Sequence, residues 1–478
     1  MGNRVRSAIA LLFLPLLIAL GGAALADGGE KSDRDGRPQR DAIAPWLRDP
    51  FTSTYTPLPR RDTLIVHARI LDGAGGRIEN GSVLIRDGMV VAVGAGTIDG
   101  GGAVVIDAHG RWVTPGIIDI HSHDGTYVVP LTTIDDKSSD VSELDDPNAA
   151  DTWIQTAVNP QDPAFQRALA GGVTTLQILP GSSPIFGGRS IVVKPIIQTT
   201  VAAMVFPGAA RGLKMACGEN PKGEDAETQR GPTSRQGEIA FIRAALTEAR
   251  RYEGGWNAWL ASRKGEQPKD DAKLDTLVAL MRGQIAAHIH CYRADEMAVM
   301  IDLSHEFGFR IAAFHHAQEA YKIPELLRRE DICVAVWADW WGFKMEANDG
   351  IRENAAIVDA AGGCAMMHSD SPQTGQWLNI DAAKAMAAGR RAGLDIPPER
   401  AIRWLTANPA RALGLADRIG TIAPGKNADV VIWSGDPFSI YTHADMVFID
   451  GAVAFDRQDP RYQPRSDFEI GRMPQVRP

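Results

Sequence analysis

Residues 113–123 read VTPGIIDIHSH, and the reading of this stretch decides the fold. A Pro-Gly turn signal leads into the apolar run Ile117-Ile118-Asp119-Ile120, which runs straight into His121 and His123. Side chains two apart on a strand point the same way, so a strand here aims both imidazoles at one point. The texture recurs downstream in GVTTLQIL, GLKMACGE, IAAHIHC, RIAAFHHA, ICVAVWADW and CAMMHSDS, with helix-like segments between several of these runs. In ADEMAVMIDLSHEFG, Met297, Met300, Leu303 and Phe307 share one helical face. DAAKAMAAGRRAG and PERAIRWLTAN follow the same pattern, with Gly placed to end one helix and Pro to start the other. Strands alternating with helices predict an α/β fold with a parallel sheet, closed as a (β/α)8 barrel over residues 116–411. An open doubly wound sheet is the alternative, but no Gly-rich phosphate loop follows the first strand.

The flanks read differently. LIVHARIL, GSVLIRDGMVVAVG and AVVIDAHG are short β-rich runs between Gly/Asp/Asn turns, as in a small antiparallel sheet. ADVVIWSG and DMVFIDGAVAF repeat that texture near the C-terminus, so residues 62–115 and 412–460 are expected to build one composite β domain. Residues 1–26 carry a positive start, the apolar AIALLFLPLLIAL and small residues at Ala24 and Ala26, the layout of a signal peptide cut before Asp27. The alternative is an uncleaved anchor. The expected location is periplasmic or secreted, with no stable membrane span after cleavage. Residues 27–61, charged and then Pro-rich, read as a flexible or loosely docked extension, and 461–478 as a tail.

With 44% hydrophobic and 23% charged residues, the 478-residue chain suits a globular protein with a large core. Fifty Lys+Arg against 59 Asp+Glu give −9 and argue against a nucleic-acid partner. The four cysteines, Cys217, Cys291, Cys333 and Cys364, sit inside apolar runs and look more like buried small hydrophobes than a disulfide framework.

Only 11 histidines are present, and they concentrate at strand ends. His288 and His290 close IAAHIHC, His315 and His316 close RIAAFHHA, and His368 with Asp370 closes CAMMHSDS. Four strand ends carrying His, the last with an acid, point to metal binding rather than packing. Imidazole plus carboxylate suits zinc (Zn2+) or another divalent ion, one or two in number. Such an ion lowers the pKa of its water to about 7, and Asp370 is placed to shuttle the proton to a leaving nitrogen.

VTPGIIDIHSH, later strand-end histidines, SDSP and the C-terminal TANPARALGLADRIGTIAPGKNADVVIW together resemble the amidohydrolase superfamily. KMACGENPK, HCYRADEM and HHAQEAYKI look most like its imidazolonepropionase-related and metallo-dipeptidase-like branch. The resemblance implies a metal-dependent hydrolase on a (β/α)8 barrel beside a small β-sandwich. It implies His121, His123, His290, His316 and Asp370 as metal ligands, and His288 and His368 as groups that orient ligands or substrate. It further implies hydrolysis of an amide C–N bond in a dipeptide, an N-acyl amino acid or a cyclic amide, with a homo-oligomer left open.

Deaminases of the superfamily usually carry Glu three residues after the fifth-strand histidine. That position is Arg293, which favours amide hydrolysis over deamination and offers a cation for a substrate carboxylate. Tyr321 and Arg235 are further substrate-binding candidates. A non-catalytic metal-binding barrel is the remaining alternative. The family's bridging ligand is either a carboxylated lysine or a glutamate, and GLKMACGENPKG (212–223) offers both. Along an extended strand Lys214 lies roughly 16 Å upstream of Glu219, at ~3.3 Å per residue, and on the opposite face. Glu219 is therefore preferred as the metal-binding carboxylate, with Cys217 read as core. The segment 124–165, rich in Asp, is expected to cover the first strand.

Overall fold

The computed structural model describes residues 43–129, 132, 137–222, 231–340 and 342–462. The expected signal peptide, residues 27–42 of the extension and the tail beyond 462 lie outside the described residues. Seventeen strands follow in chain order: β1 (Thr63–Leu71), β2 (Arg77–Arg86), β3 (Met89–Ala95), β4 (Val104–Asp107), β5 (Trp112–Pro115), β6 (Ile117–Ser122), β7 (Val173–Ile178), β8 (Phe186–Arg189), β9 (Ile191–Val193), β10 (Gly212–Ala216), β11 (Ala286–Cys291), β12 (Ile311–His316), β13 (Cys333–Val336), β14 (Cys364–Met367), β15 (Val430–Trp433), β16 (Ala444–Ile449) and β17 (Ala452–Asp456).

The first five and last three described strands meet in one eight-stranded sheet of order β17-β16-β15-β5-β1-β2-β3, with β4 also paired to β1. It is mixed rather than antiparallel throughout. β1, β2 and β3 form a meander, while β4 and β5 return on the other side of β1 and run parallel to it. Its core joins Ile65, Ile70, Val83 and Val113 from the first segment to Val430, Ile432 and Phe448 from the last.

The middle of the chain builds two sheets. β10 to β14 are parallel neighbours, with β8 antiparallel at the edge, and β6 and β7 are parallel with β9 antiparallel beside β7. The Asp370 N–H donates to the His121 carbonyl at 2.9 Å and so ties the chain after β14 to β6. Every residue of these parallel strands is buried, as expected for strands covered on both faces. The helix Ala294–Phe307 buries Met297, Met300, Leu303 and Phe307, the face its spacing predicts. It ends at Gly308, whose positive φ of 78° lets its N–H close on the Ser304 carbonyl.

Two expectations are corrected. Residues 44–61 are docked: Trp46 is buried in the main core, Tyr55 donates to Asp450 at 2.7 Å, and Asp49 pairs with Arg211 at 3.0 Å. Charge in this segment finds fixed partners, and one tryptophan supplies the apolar anchor. The cysteines are all paired, Cys217 with Cys291 and Cys333 with Cys364. Each bridge joins neighbouring parallel strands at or just past their residues. Sequence separations of 74 and 31 gave no local spacing to betray them.

Candidate metal centre

Every group of the site stands at the C-terminal end of a parallel strand, where the backbone turns and the side chains are released toward one point. His121 and His123, two apart on and just beyond β6, aim their Nε2 atoms together at 3.3 Å. Asp370 Oδ1 lies 3.1 Å from each of them. The same His121 forms a second close group with His316 and His368. His290 approaches His316 with ring centroids 4.4 Å apart.

Consecutive residues on a regular strand face opposite ways, yet His315 and His316 both enter this region. The backbone explains it: His316 adopts φ 68° and Ala317 φ 37°, a left-handed turn that swings His316 inward after His315 has already pointed there. Asp370 also holds a positive φ, 56°. Left-handed non-glycine residues are costly and cluster where function demands the geometry.

The cluster is dry. His121, His290, His315 and His316 are all pushed well below the ordinary imidazole range, first by burial and then by one another and by Lys214. Burial lowers His288 and His368 to about 3. They are neutral imidazoles with lone pairs to offer. Burial would raise the Asp370 carboxyl, but the hydrogen bond from His123 and the attraction of His123, His368 and Lys214 outweigh it and hold the group below the usual carboxylate range. Asp119, behind the site, is raised to about 7 by burial and is held by the Ser369 hydroxyl at 2.5 Å.

Both ring nitrogens of His290 and of His368, and Nδ1 of His316, are buried without a hydrogen-bond partner among the described residues. An unsatisfied buried polar group costs about 1–3 kcal/mol. Each ring can offer one nitrogen to an ion, so three such imidazoles gathered near a carboxylate fit a divalent cation and are hard to account for as packing. The donor set of imidazole and carboxylate suits zinc-like ions.

Lys214 overturns an expectation. Its side chain is fully buried, with Nζ 2.9 Å from the Pro180 carbonyl and 3.4 Å from His121 Nε2. Burial lowers its amine to about 8, against the pull of Asp370. The argument that it lies too far upstream fails because β10 ends at Ala216 and the chain turns at Gly218, φ 85°, so residues 214–219 are not extended. In register Lys214 lies opposite His288, and its long side chain spans from there to His121. Glu219 lines the cavity, but its carboxylate accepts from the Glu346 N–H at 3.2 Å.

That cavity, about 760 Å³, opens above the cluster and reaches His123, His290, His316 and Asp370. Its walls include Tyr127, Tyr292, Phe343, Ser182, Asn220 and Lys344, with Ser139, Val141, Ser142 and Leu144 along one side. Three residues expected at substrate are elsewhere. Arg293 is spent on its neighbour Asp295, at 2.9 and 3.0 Å, on an exposed turn. Tyr321 is half-buried away from the cavity and donates to the Asp349 carbonyl. Arg235 lies behind the site, bound to Glu296 and Glu346. His288 is near, but it contacts His315 and Gln177 rather than the cavity. The cation that does reach the cavity is Lys344, in a run (WGFKMEANDG) without a histidine or periodic signal to mark it. Gln177, Tyr292 and Lys344 were not singled out from sequence, and only Tyr292, beside Cys291 in HCYRADEM, had a nearby signal.

The parallel strands thus bring buried histidines and a carboxylate into groups that could hold a divalent metal. A profile of the Amidohydrolase family matches residues 199–457. The chain is 34% identical to a crystallised amidohydrolase of Thermotoga maritima MSB8, covering 83% of this chain and 100% of that one with a TM-score of 0.76. It is also 32% identical to the amidohydrolase tasK of Hapsidospora irregularis over 74% of this chain and 37% of that protein. An imidazolonepropionase of Mesorhizobium japonicum is 29% identical over 31% of this chain and 43% of its own length. The chain spans less than half the length of these two curated relatives. It is a member of the amidohydrolase family.

Proposed function

We propose that this chain is an exported metal-dependent hydrolase that cleaves an amide C–N bond in a small substrate, a dipeptide, an N-acyl amino acid or a cyclic amide. The observation that carries the reading is the buried group of His121, His123 and Asp370, joined through His121 to His316 and His368 and open to the cavity. These residues and His290 would hold one or two ions, with Lys214, once carboxylated, as a further anionic ligand and Glu219 as its rival. A divalent ion such as zinc supplies Lewis-acid polarisation and lowers the pKa of water to about 7.

The chain's own residues do the rest. Asp370, ionised and accepting from His123, takes the proton of the attacking water and delivers it to the leaving nitrogen. Burial, together with Asp370, Glu219 and Glu346, keeps the Tyr292 hydroxyl protonated, so it donates to the oxygen on which charge develops. Lys344 replaces Arg293 as the cation that meets a substrate carboxylate. The same reading takes the parallel sheets as one (β/α)8 barrel beside a β-sandwich; the bond from Asp370 N to His121 O supports closure. Two disulfides support an oxidising compartment, periplasmic or extracellular.

The test is turnover, followed by chromatography, on a panel of dipeptides, N-acyl amino acids, cyclic amides and aminopurines. Cleavage within the first three groups is expected. Release of ammonia from the aminopurines alone would favour a deaminase instead.

A further inference from the structure

A single file of hydrogen-bonding groups leads away from the cluster. His121 Nδ1 lies 3.1 Å from His315 Nδ1, and His315 Nε2 lies 3.0 Å from His288 Nδ1. His288 Nε2 lies 3.1 Å from the Gln177 amide nitrogen. All four side chains are buried. A neutral imidazole carries one proton, so each donates at one nitrogen and accepts at the other. A file of such rings has two consistent settings.

In the first, protons point toward the cluster. The Gln177 amide donates to His288, His288 to His315, His315 to His121, and His121 Nε2 to Asp370 at 3.1 Å. The placed amide has this orientation, and it leaves Gln177 Oε1 without a partner among the described residues. In the second, every donor reverses, and His288 Nε2–H donates to the Gln177 oxygen. An ion on His121 Nε2 needs a lone pair there, so it is compatible with the second setting alone.

We propose that His315, His288 and Gln177 are positioning residues, and that binding of a divalent cation reverses this file from His121 out to the Gln177 amide. The amide permits the reversal because either end can face His288. Ser190 accommodates both ends: its hydroxyl oxygen accepts from the Gly212 N–H at 3.0 Å and from the Gln177 amide at 3.2 Å, and its own proton can serve Oε1 after the turn. Gly212 keeps the space, since a Cβ there would sit 2.5 Å from His288 Cδ2 and 2.9 Å from Ser190 Oγ.

The inference rests on the ion site proposed above, and its test separates the two. Full-length protein with 15N-labelled histidine is titrated with Zn2+, and the His288 signals are identified by their loss in His288→Gln. The His288 proton is expected on Nδ1 without zinc and on Nε2 with it. Zinc affinity is measured by chelator competition for Gln177→Glu, which can only accept, and Gln177→Leu, which can do neither. Glu at 177 is expected to bind zinc ~10–100-fold more tightly than Leu, the range for partners of metal ligands. Zinc binding with an unmoved His288 proton, or equal affinities in the two variants, overturns the file alone. Failure to bind zinc at all overturns both the file and the ion site.

Discussion

Arg235→Met probes how the site's floor is held. Arg235 binds Glu296 and Glu346, whose side chains are 9% and 4% exposed, while the arginine itself is 42% exposed. Glu346 in turn accepts from the Glu219 N–H at 2.8 Å, and Glu238 accepts from the Gly218 N–H at 3.2 Å. Two carboxylates, Glu346 and Glu238, thus fix the turn that carries Glu219 and Asn220 into the cavity, and Arg235 ties Glu346 to Glu296. Breaking a buried pair from one side costs about 3–5 kcal/mol, and solvent at the arginine reduces this, so roughly 2–3 kcal/mol is expected at pH 8.

The cost should depend on pH, with a definite sign. Burial already raises Glu296 and Glu238 to about 7, above their ordinary 4.5. A carboxyl raised in the folded state holds its proton there longer than in the unfolded chain, so stability falls as pH rises from about 4.5 through 7. Removing the cation raises these groups further and steepens that fall. At pH 5 Glu296 and Glu238 hold their protons, and the variant loses only about 1 kcal/mol of packing and bonding. Urea unfolding followed by tryptophan fluorescence at pH 5 and pH 8 reads the difference. An equal loss at both pH values, or a loss under about 1 kcal/mol at pH 8, would refute the reasoning.

Three further outcomes are expected. Asp370→Asn removes the proton acceptor while keeping the shape, and kcat should fall about 10²–10⁴-fold with little change in the urea midpoint. Lys344→Met should raise KM about tenfold to a hundredfold for substrates bearing a free carboxylate, the worth of a charge-assisted hydrogen bond, and leave their amidated analogues unaffected. Trp46→Ala should cost about 3–5 kcal/mol in unfolding free energy if residues 44–61 belong to the core; a loss under about 1 kcal/mol would mean the segment is only loosely attached.

Much of the site was legible because its residues repeat a rule. Two histidines two apart at the end of an apolar run need only strand periodicity to be placed, and His121 and His123 meet Asp370 accordingly, whereas His316 enters through a left-handed turn that periodicity does not foresee. Lys214 was misplaced because periodicity assumes the strand continues, whereas it stops at Ala216 and turns at Gly218. Arg293 was misread because its carboxylate partner is its own neighbour two residues on, a local pairing that outcompetes a substrate. The disulfides, Lys344 and the Gln177 file depend on which strands become neighbours. That is a property of the tertiary fold, with no counterpart in local spacing.

The most direct measurement is metal content against turnover. Protein stripped with a chelator should lose hydrolysis of its best amide substrate and regain it as Zn2+ is returned, saturating at one or two ions per chain. His121→Ala should bind little zinc and recover nothing. Turnover unchanged by stripping, or restored in His121→Ala as fully as in the natural chain, would contradict the account.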